Sequence, residues 1–99
     1  MPKMVVEKEV RFESAHRLPY YEGACKNLHG HSYRLVIAVE GEVSPTSGII
    51  VDFYDVQRIV QGQVLDQFDH KYLNDFMENP TAENIALFIW NRLQPALAG

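Results

Sequence analysis

The 99 residues and their 46% hydrophobic composition predict one globular domain over residues 1–99 with a modest core. The formal net charge of −4 argues against a nucleic-acid partner, which would need a basic surface. The single cysteine excludes an intrachain disulfide, and no apolar run reaches the ~18 residues that span a bilayer. Because no signal-type leader opens the chain, we expect a cytoplasmic protein with a reduced thiol and no membrane partner.

Alternation of apolar and polar residues predicts two strands, over residues 1–16 and 29–42, joined by a loop. Residues two apart share one face of a strand. His16 therefore shares the apolar face of the first strand, and His29 and His31 share that of the second.

Two amphipathic helices are predicted in the second half of the chain. Asp52 is the expected N-cap of the first, which runs to Leu65, and Thr81 is the expected N-cap of the second, which runs towards Gly99. An irregular connection is expected over residues 66–80. The order strand, strand, helix, helix indicates an α+β fold, but two strands alone make a marginal sheet. Further strands are therefore expected from neighbouring subunits or from a longer chain.

Three imidazoles are predicted to meet at one end of the strands. If the sequential strands pair antiparallel, the end of the first lies beside the start of the second, which places His16 near His29 and His31. Three neutral nitrogen ligands with a fourth position open are the donor set of a catalytic zinc site. The pattern predicts a metal site here, with three ordinary polar side chains as the alternative.

Two further features supply reactive groups. Cys25 lies in the loop that leads to His29, where a metal ion or cationic imidazole would favour the thiolate; an inert buried thiol is the alternative. In the Asp69–His70 pair, the carboxylate can fix the imidazole tautomer for proton transfer, although such a dipeptide also arises by chance.

Five motifs follow one another in the chain: FESAHRL (12–18), CKNLHGHSY (25–33), GIIVDF (48–53), FDHKYLND (68–75) and NPTAENIA (79–86). In this order they resemble the 6-pyruvoyltetrahydropterin synthase and 6-carboxytetrahydropterin synthase family. The resemblance implies the tunnelling fold, an antiparallel sheet with two helices on one face. In that fold, trimers close their sheets into a barrel, two trimers stack, and the active sites lie between subunits. A homo-oligomer, either a trimer or a hexamer, is therefore expected.

The resemblance also implies a zinc-dependent lyase acting on 7,8-dihydroneopterin triphosphate. The zinc ion would act as a Lewis acid at the propyl side chain of this substrate, and triphosphate would leave. No organic cofactor is implied. The implied residues are three zinc ligands, a proton-abstracting cysteine and an Asp–His relay: His16, His29 and His31; Cys25; and Asp69 with His70.

One spacing separates the branches of this family. The pyruvoyl branch typically has five residues between the cysteine and His-Gly-His, whereas the carboxy branch typically has three. Three residues separate Cys25 from His29, so the chain resembles the carboxy branch. That branch makes 6-carboxytetrahydropterin for queuosine and other 7-deazapurines and releases acetaldehyde. Another relative carries glutamate in place of the cysteine, and Cys25 argues against it.

The sequence departs from the family pattern after the second predicted helix. The family continues into two more strands, one of which carries a glutamate that anchors the pterin ring. This departure predicts that the sequence is part of a longer chain. Glu83 lies in a matched motif, but we do not expect it to replace that anchor. Arg17, Lys26 and Lys71 are near the predicted site in sequence and are interpreted as solvated surface charges.

Three other functions remain open at this point. The pyruvoyl reaction of the tetrahydrobiopterin pathway uses the same groups. A zinc hydrolase also needs three histidines and an open position, because such a site activates water. A non-catalytic paralogue would bind zinc or pterin without turnover.

Overall fold

Two long strands form the frame of the domain in the computed structural model, which describes residues 3–97. β1 (Lys3–His16) and β2 (His29–Glu42) pair antiparallel over their whole length, with His16 opposite His29 at one end. The two predicted strands are confirmed, although residues 1–2 of the first lie outside the described part of the chain.

A third strand corrects the expectation of an irregular connection over residues 66–80. β3 (Lys71–Tyr72) pairs parallel with β1, so the sheet has the order β2-β1-β3 and is mixed rather than purely antiparallel. A strand of two residues is too short to show an alternating pattern, which is why the sequence does not reveal it.

The first helical segment is longer than predicted. α1 (Phe53–Val60) continues through a π-helical turn (Gln61–Leu65) into α2 (Asp66–Phe68). Asp52 is the N-cap as predicted, since its side chain accepts a hydrogen bond from the backbone N–H of Tyr54 at 2.8 Å. The helical segment therefore ends directly before Asp69, which is its C-cap.

A second long helix follows the irregular residues after β3. α3 (Ala82–Leu97) begins at the predicted N-cap, because Thr81 Oγ1 accepts a hydrogen bond from the backbone N–H of Asn84 at 3.1 Å. The predicted end of this helix near Gly99 lies outside the described residues. No helix within residues 3–97 has the length and apolar character needed to cross a bilayer.

The helices cover the apolar face of the sheet and form the core with it. Two buried side chains, Leu73 and Met77, come from the residues after β3. The others come from β1, β2, the helical segment that starts at Phe53, and α3: Val10, Phe12, Ile37, Val56, Val60, Val64, Leu65, Phe68, Ile85, Ile89 and Leu93. His16 follows Phe12 on the same face of β1, so the core ends where the histidines begin.

Candidate active site

Strand pairing brings three histidines together at the end of β1. His16 is directly opposite His29, and His31 is opposite Ser14. The ring centroids are 4.6 Å apart for His16 and His29, 5.1 Å for His16 and His31, and 4.7 Å for His29 and His31. One ring nitrogen from each residue lies within 4.8 Å of the other two. The predicted convergence of the three imidazoles is therefore present in the structure.

Backbone carbonyls orient two of these rings. Nδ1 of His16 donates to the carbonyl oxygen of Pro80 at 2.8 Å, and Nδ1 of His29 donates to that of Asn27 at 2.7 Å. Because carbonyls only accept, each Nδ1 carries the proton and each Nε2 presents its lone pair. Metal-binding histidines are usually held in this way by a second hydrogen bond.

Nε2 of His29 provides a direct test of whether a metal ion suits this cluster. The atom is buried and has no hydrogen-bond partner within residues 3–97. A buried polar atom without a partner is costly, and a ligand that accepts its lone pair removes the cost. The cluster therefore fits a cation such as Zn²⁺, for which three imidazoles leave one position open.

The electrostatics of His16 favour the neutral ring that a metal requires. Burial lowers the pKa of His16 below its ordinary value of 6.5, and the neighbouring His29 and His31 lower it further. The hydrogen bond to the Pro80 carbonyl acts in the opposite direction but is outweighed. His16 therefore remains unprotonated at neutral pH.

Tyr33, which follows His31 on the same face of β2, also contacts the cluster. The Tyr33 hydroxyl lies 3.3 Å from Nδ1 and 3.4 Å from Nε2 of His16, and its ring stacks on Phe12 with 5.0 Å between centroids. Burial raises the pKa of Tyr33, so the phenol stays protonated. Its place beside His16 follows from β1–β2 pairing.

Cys25 opens into the same cavity as the three histidines. The thiol is half-buried and lies on a 3₁₀ turn, Ala24–Lys26, within the loop between β1 and β2. A cavity of about 530 Å³ is lined by Cys25, the histidine cluster and Tyr33. Glu83, in the first turn of α3, is the one carboxylate among the described residues that line it.

Asp69 and His70 lie at the junction of α2 and β3. Asp69 Oδ1 accepts a hydrogen bond from the backbone N–H of Glu13 at 2.9 Å and lies 3.2 Å from Nδ1 of His70. The Glu13 N–H is the main cause of a lowered pKa for Asp69, and His70 contributes to it. His70 adopts a φ of 58°, an uncommon conformation for a non-glycine residue. The predicted Asp–His contact is present in the structure.

His70 and the thiol of Cys25 line different cavities of one chain. His70 lines a second cavity of about 530 Å³ with Glu13, Lys71, His31 and other residues, and Cys25 does not line it. The two cavities share His31 and Ser32. The structure therefore unites Cys25 with the histidine cluster and leaves His70 on a neighbouring surface.

The three cations near the site in sequence are all exposed. Lys71 lines the second cavity, whereas neither Arg17 nor Lys26 lines either of the two cavities. This placement agrees with solvated charge for Arg17 and Lys26 and leaves Lys71 beside His70.

Comparison with known proteins identifies the family. The family described as 6-pyruvoyl tetrahydropterin synthase matches residues 5–99. A 6-carboxy-5,6,7,8-tetrahydropterin synthase from Synechocystis is 39% identical over 98 residues, covering 93% of this chain and 76% of that protein. A dihydroneopterin monophosphate aldolase from Pyrococcus furiosus is 41% identical over 88 residues, covering 89% and 73%.

A solved structure agrees with the fold of this chain. The 6-pyruvoyl tetrahydropterin synthase of Caenorhabditis elegans superimposes with a TM-score of 0.89 at 30% identity, covering 100% of this chain and 82% of that one. The chain therefore belongs to the 6-pyruvoyl tetrahydropterin synthase family and has its tunnelling fold.

Proposed function

We propose that the chain is a zinc-dependent 6-carboxy-5,6,7,8-tetrahydropterin synthase. It would convert 7,8-dihydroneopterin triphosphate and one water molecule to 6-carboxytetrahydropterin, acetaldehyde and triphosphate, for queuosine synthesis. The observation that carries the proposal is the unpartnered buried Nε2 of His29, within a cluster of imidazoles that shares its cavity with Cys25. The three-residue spacing from Cys25 to His29 and the Synechocystis relative favour the carboxy product.

Each group in the first cavity has a distinct task in this proposal. His16, His29 and His31 hold the zinc ion, which supplies Lewis acidity when bound. Cys25 removes a proton from the substrate side chain, and the Asp69–His70 relay handles the other proton, so that protons move between the side chain and the ring.

Asp69 and His70 complete the proton path from a second subunit. Asp69 holds the imidazole of His70 through Nδ1, which leaves Nε2 free to exchange a proton. Because His70 and Cys25 line different cavities of one chain, a neighbouring copy is the simplest way to bring them together. This separation supports a homo-oligomer, a trimer or a hexamer, with the site between subunits.

Product analysis tests the proposed reaction directly. The zinc-loaded protein is incubated with 7,8-dihydroneopterin triphosphate, and the products are identified by mass spectrometry. We expect 6-carboxytetrahydropterin and acetaldehyde in equal amounts. A 6-pyruvoyl product without acetaldehyde would assign the chain to the pyruvoyl reaction instead. Turnover confined to dihydroneopterin monophosphate would favour the activity named for the Pyrococcus relative.

Mixing two inactive variants tests the site between subunits. Cys25→Ala and His70→Ala disable different cavities, so an oligomer that contains both has some interfaces with neither lesion. We expect each variant alone to be nearly inactive and the mixture, after dissociation and reassembly, to recover activity. A mixture as inactive as its two parents would place Cys25 and His70 of one chain at the same site. Two batches of Cys25→Ala mixed in the same way serve as the control.

A further inference from the structure

The loop that carries Cys25 leaves β1 immediately after His16, and its path is fixed by a residue far along the chain. β1 and β3 pair up to Ala15 opposite Tyr72, and the same register would place Asn74 opposite Arg17. The backbone cannot continue the pairing there, because residues Leu73–Asp75 form a 3₁₀ turn. The side chain of Asn74 takes over this pairing.

Asn74 makes both hydrogen bonds of a strand partner with one amide group. Its Oδ1 accepts from the backbone N–H of Arg17 at 2.9 Å, and its Nδ2 donates to the carbonyl oxygen of Arg17 at 3.0 Å. A primary amide offers a donor and an acceptor side by side, which a carboxylate or an alkyl group does not.

Arg17 lies between His16, a proposed zinc ligand, and Leu18, which contacts Cys25 across the loop between β1 and β2 (the thiol loop). His16 precedes Arg17, and the next residue, Leu18, donates its backbone N–H to the carbonyl oxygen of Cys25 at 2.8 Å. The direction in which the chain leaves β1 therefore sets where the turn of Cys25 lies relative to the histidines.

A second hydrogen bond joins the loop that carries Cys25 to the residues after β3. The hydroxyl of Tyr20 donates to Glu78, so the thiol loop contacts the residues after β3 at two places. Asn74 makes two hydrogen bonds to the residue that directly follows His16, whereas Tyr20 makes one side-chain bond further along the loop. Asn74 therefore contacts the loop closer to the histidine cluster.

We propose that Asn74 is a positioning residue that holds the Cys25 loop against the histidine cavity. Asn74 does not line that cavity, so it acts on the thiol only through Arg17, Leu18 and the loop. The inference rests on the proposed function, in which the proton moves at Cys25. It assigns a task to the asparagine of the FDHKYLND motif.

Asn74→Asp and Asn74→Ala in the zinc-loaded oligomer test this role. Asn74→Asp is nearly isosteric but places a second oxygen against the Arg17 carbonyl, so it carries the test if Asn74→Ala fails to fold. Hydrogen exchange at the Leu18 amide and alkylation of Cys25 by iodoacetamide are measured. Both should become about tenfold faster, as expected for the loss of about one net hydrogen bond. kcat should fall about tenfold, with KM within about twofold and the zinc content unchanged.

The neighbouring exposed carboxylate supplies the matched control, and Asp75→Asn should leave all of these quantities unchanged. Wild-type exchange and alkylation rates in both Asn74 variants would overturn the proposal. Loss of zinc together with protection of the thiol would also overturn it, because Asn74 would then support the histidines. If the wild-type protein lacks lyase activity, the proposed function fails, while exchange and alkylation still decide the role of Asn74.

Discussion

Cys25→Ala is expected to lower kcat by about a thousandfold, because general acid–base groups typically contribute 10²–10⁴-fold. The zinc content should stay at about one per chain, since the cluster that would bind the metal consists of His16, His29 and His31. KM should change little, because a methyl group in place of the thiol leaves the other cavity-lining residues in position. Steady-state kinetics and elemental analysis of the same preparation measure both effects.

The matched control lies in the same turn. Ala24 is exposed on the 3₁₀ turn of Cys25, so Ala24→Ser tests the tolerance of the turn without touching the thiol. We expect this variant to turn over at the wild-type rate. A Cys25→Ala protein that kept more than about a tenth of the wild-type kcat would show that another group takes the proton.

His29→Ala is expected to abolish stable zinc binding. The variant removes one of the three proposed ligands together with the buried Nε2 that has no partner in the described chain. Loss of an outer partner of a ligand typically costs 10–100-fold in affinity, so loss of the ligand itself should cost more than about a hundredfold. Zinc content after dialysis should fall from about one per chain to near zero, and kcat should fall with it.

Thermal unfolding separates metal loss from misfolding. A ligand that binds only the folded state raises the unfolding midpoint as its concentration rises. Added zinc should therefore stabilise the metal-free wild-type protein and leave the midpoint of His29→Ala unchanged. His70→Ala is the control histidine, because His70 lies outside the cluster, and it should bind zinc normally. Full zinc occupancy in His29→Ala would contradict the assignment of the ligands.

The histidine cluster was predictable because strand geometry is periodic. Residues two apart share a face, and a sequential antiparallel pair brings the end of one strand beside the start of the next. These two rules place His16, His29 and His31 together, as the structure does. Local N-cap chemistry likewise located both helix starts, at Asp52 and Thr81.

Other features of the site depend on contacts that have no local pattern. The carbonyl groups that orient His16 and His29 belong to Pro80 and Asn27. A sequence pattern does not reveal which backbone carbonyl will accept a hydrogen bond from a given histidine ring. The bond between Asn74 and Arg17 spans 57 positions and replaces strand pairing that the turn interrupts. β3 has only two residues, and its extended conformation depends on pairing with β1 rather than on a local sequence pattern.

The spacing within CKNLHGHSY by itself determined that His29 and His31 share one face of a strand, with Cys25 in the loop that leads to them. Only the tertiary structure decided that His70 lines a different cavity from Cys25. The physical reason is the parallel pairing of β3 with β1, together with two hydrogen bonds to the backbone of Glu13. The Glu13 N–H donates to Asp69 Oδ1, and the Glu13 carbonyl oxygen accepts from the backbone N–H of His70. These contacts hold Asp69 and His70 beside Glu13, and His70 thereby lines the cavity that the thiol does not line.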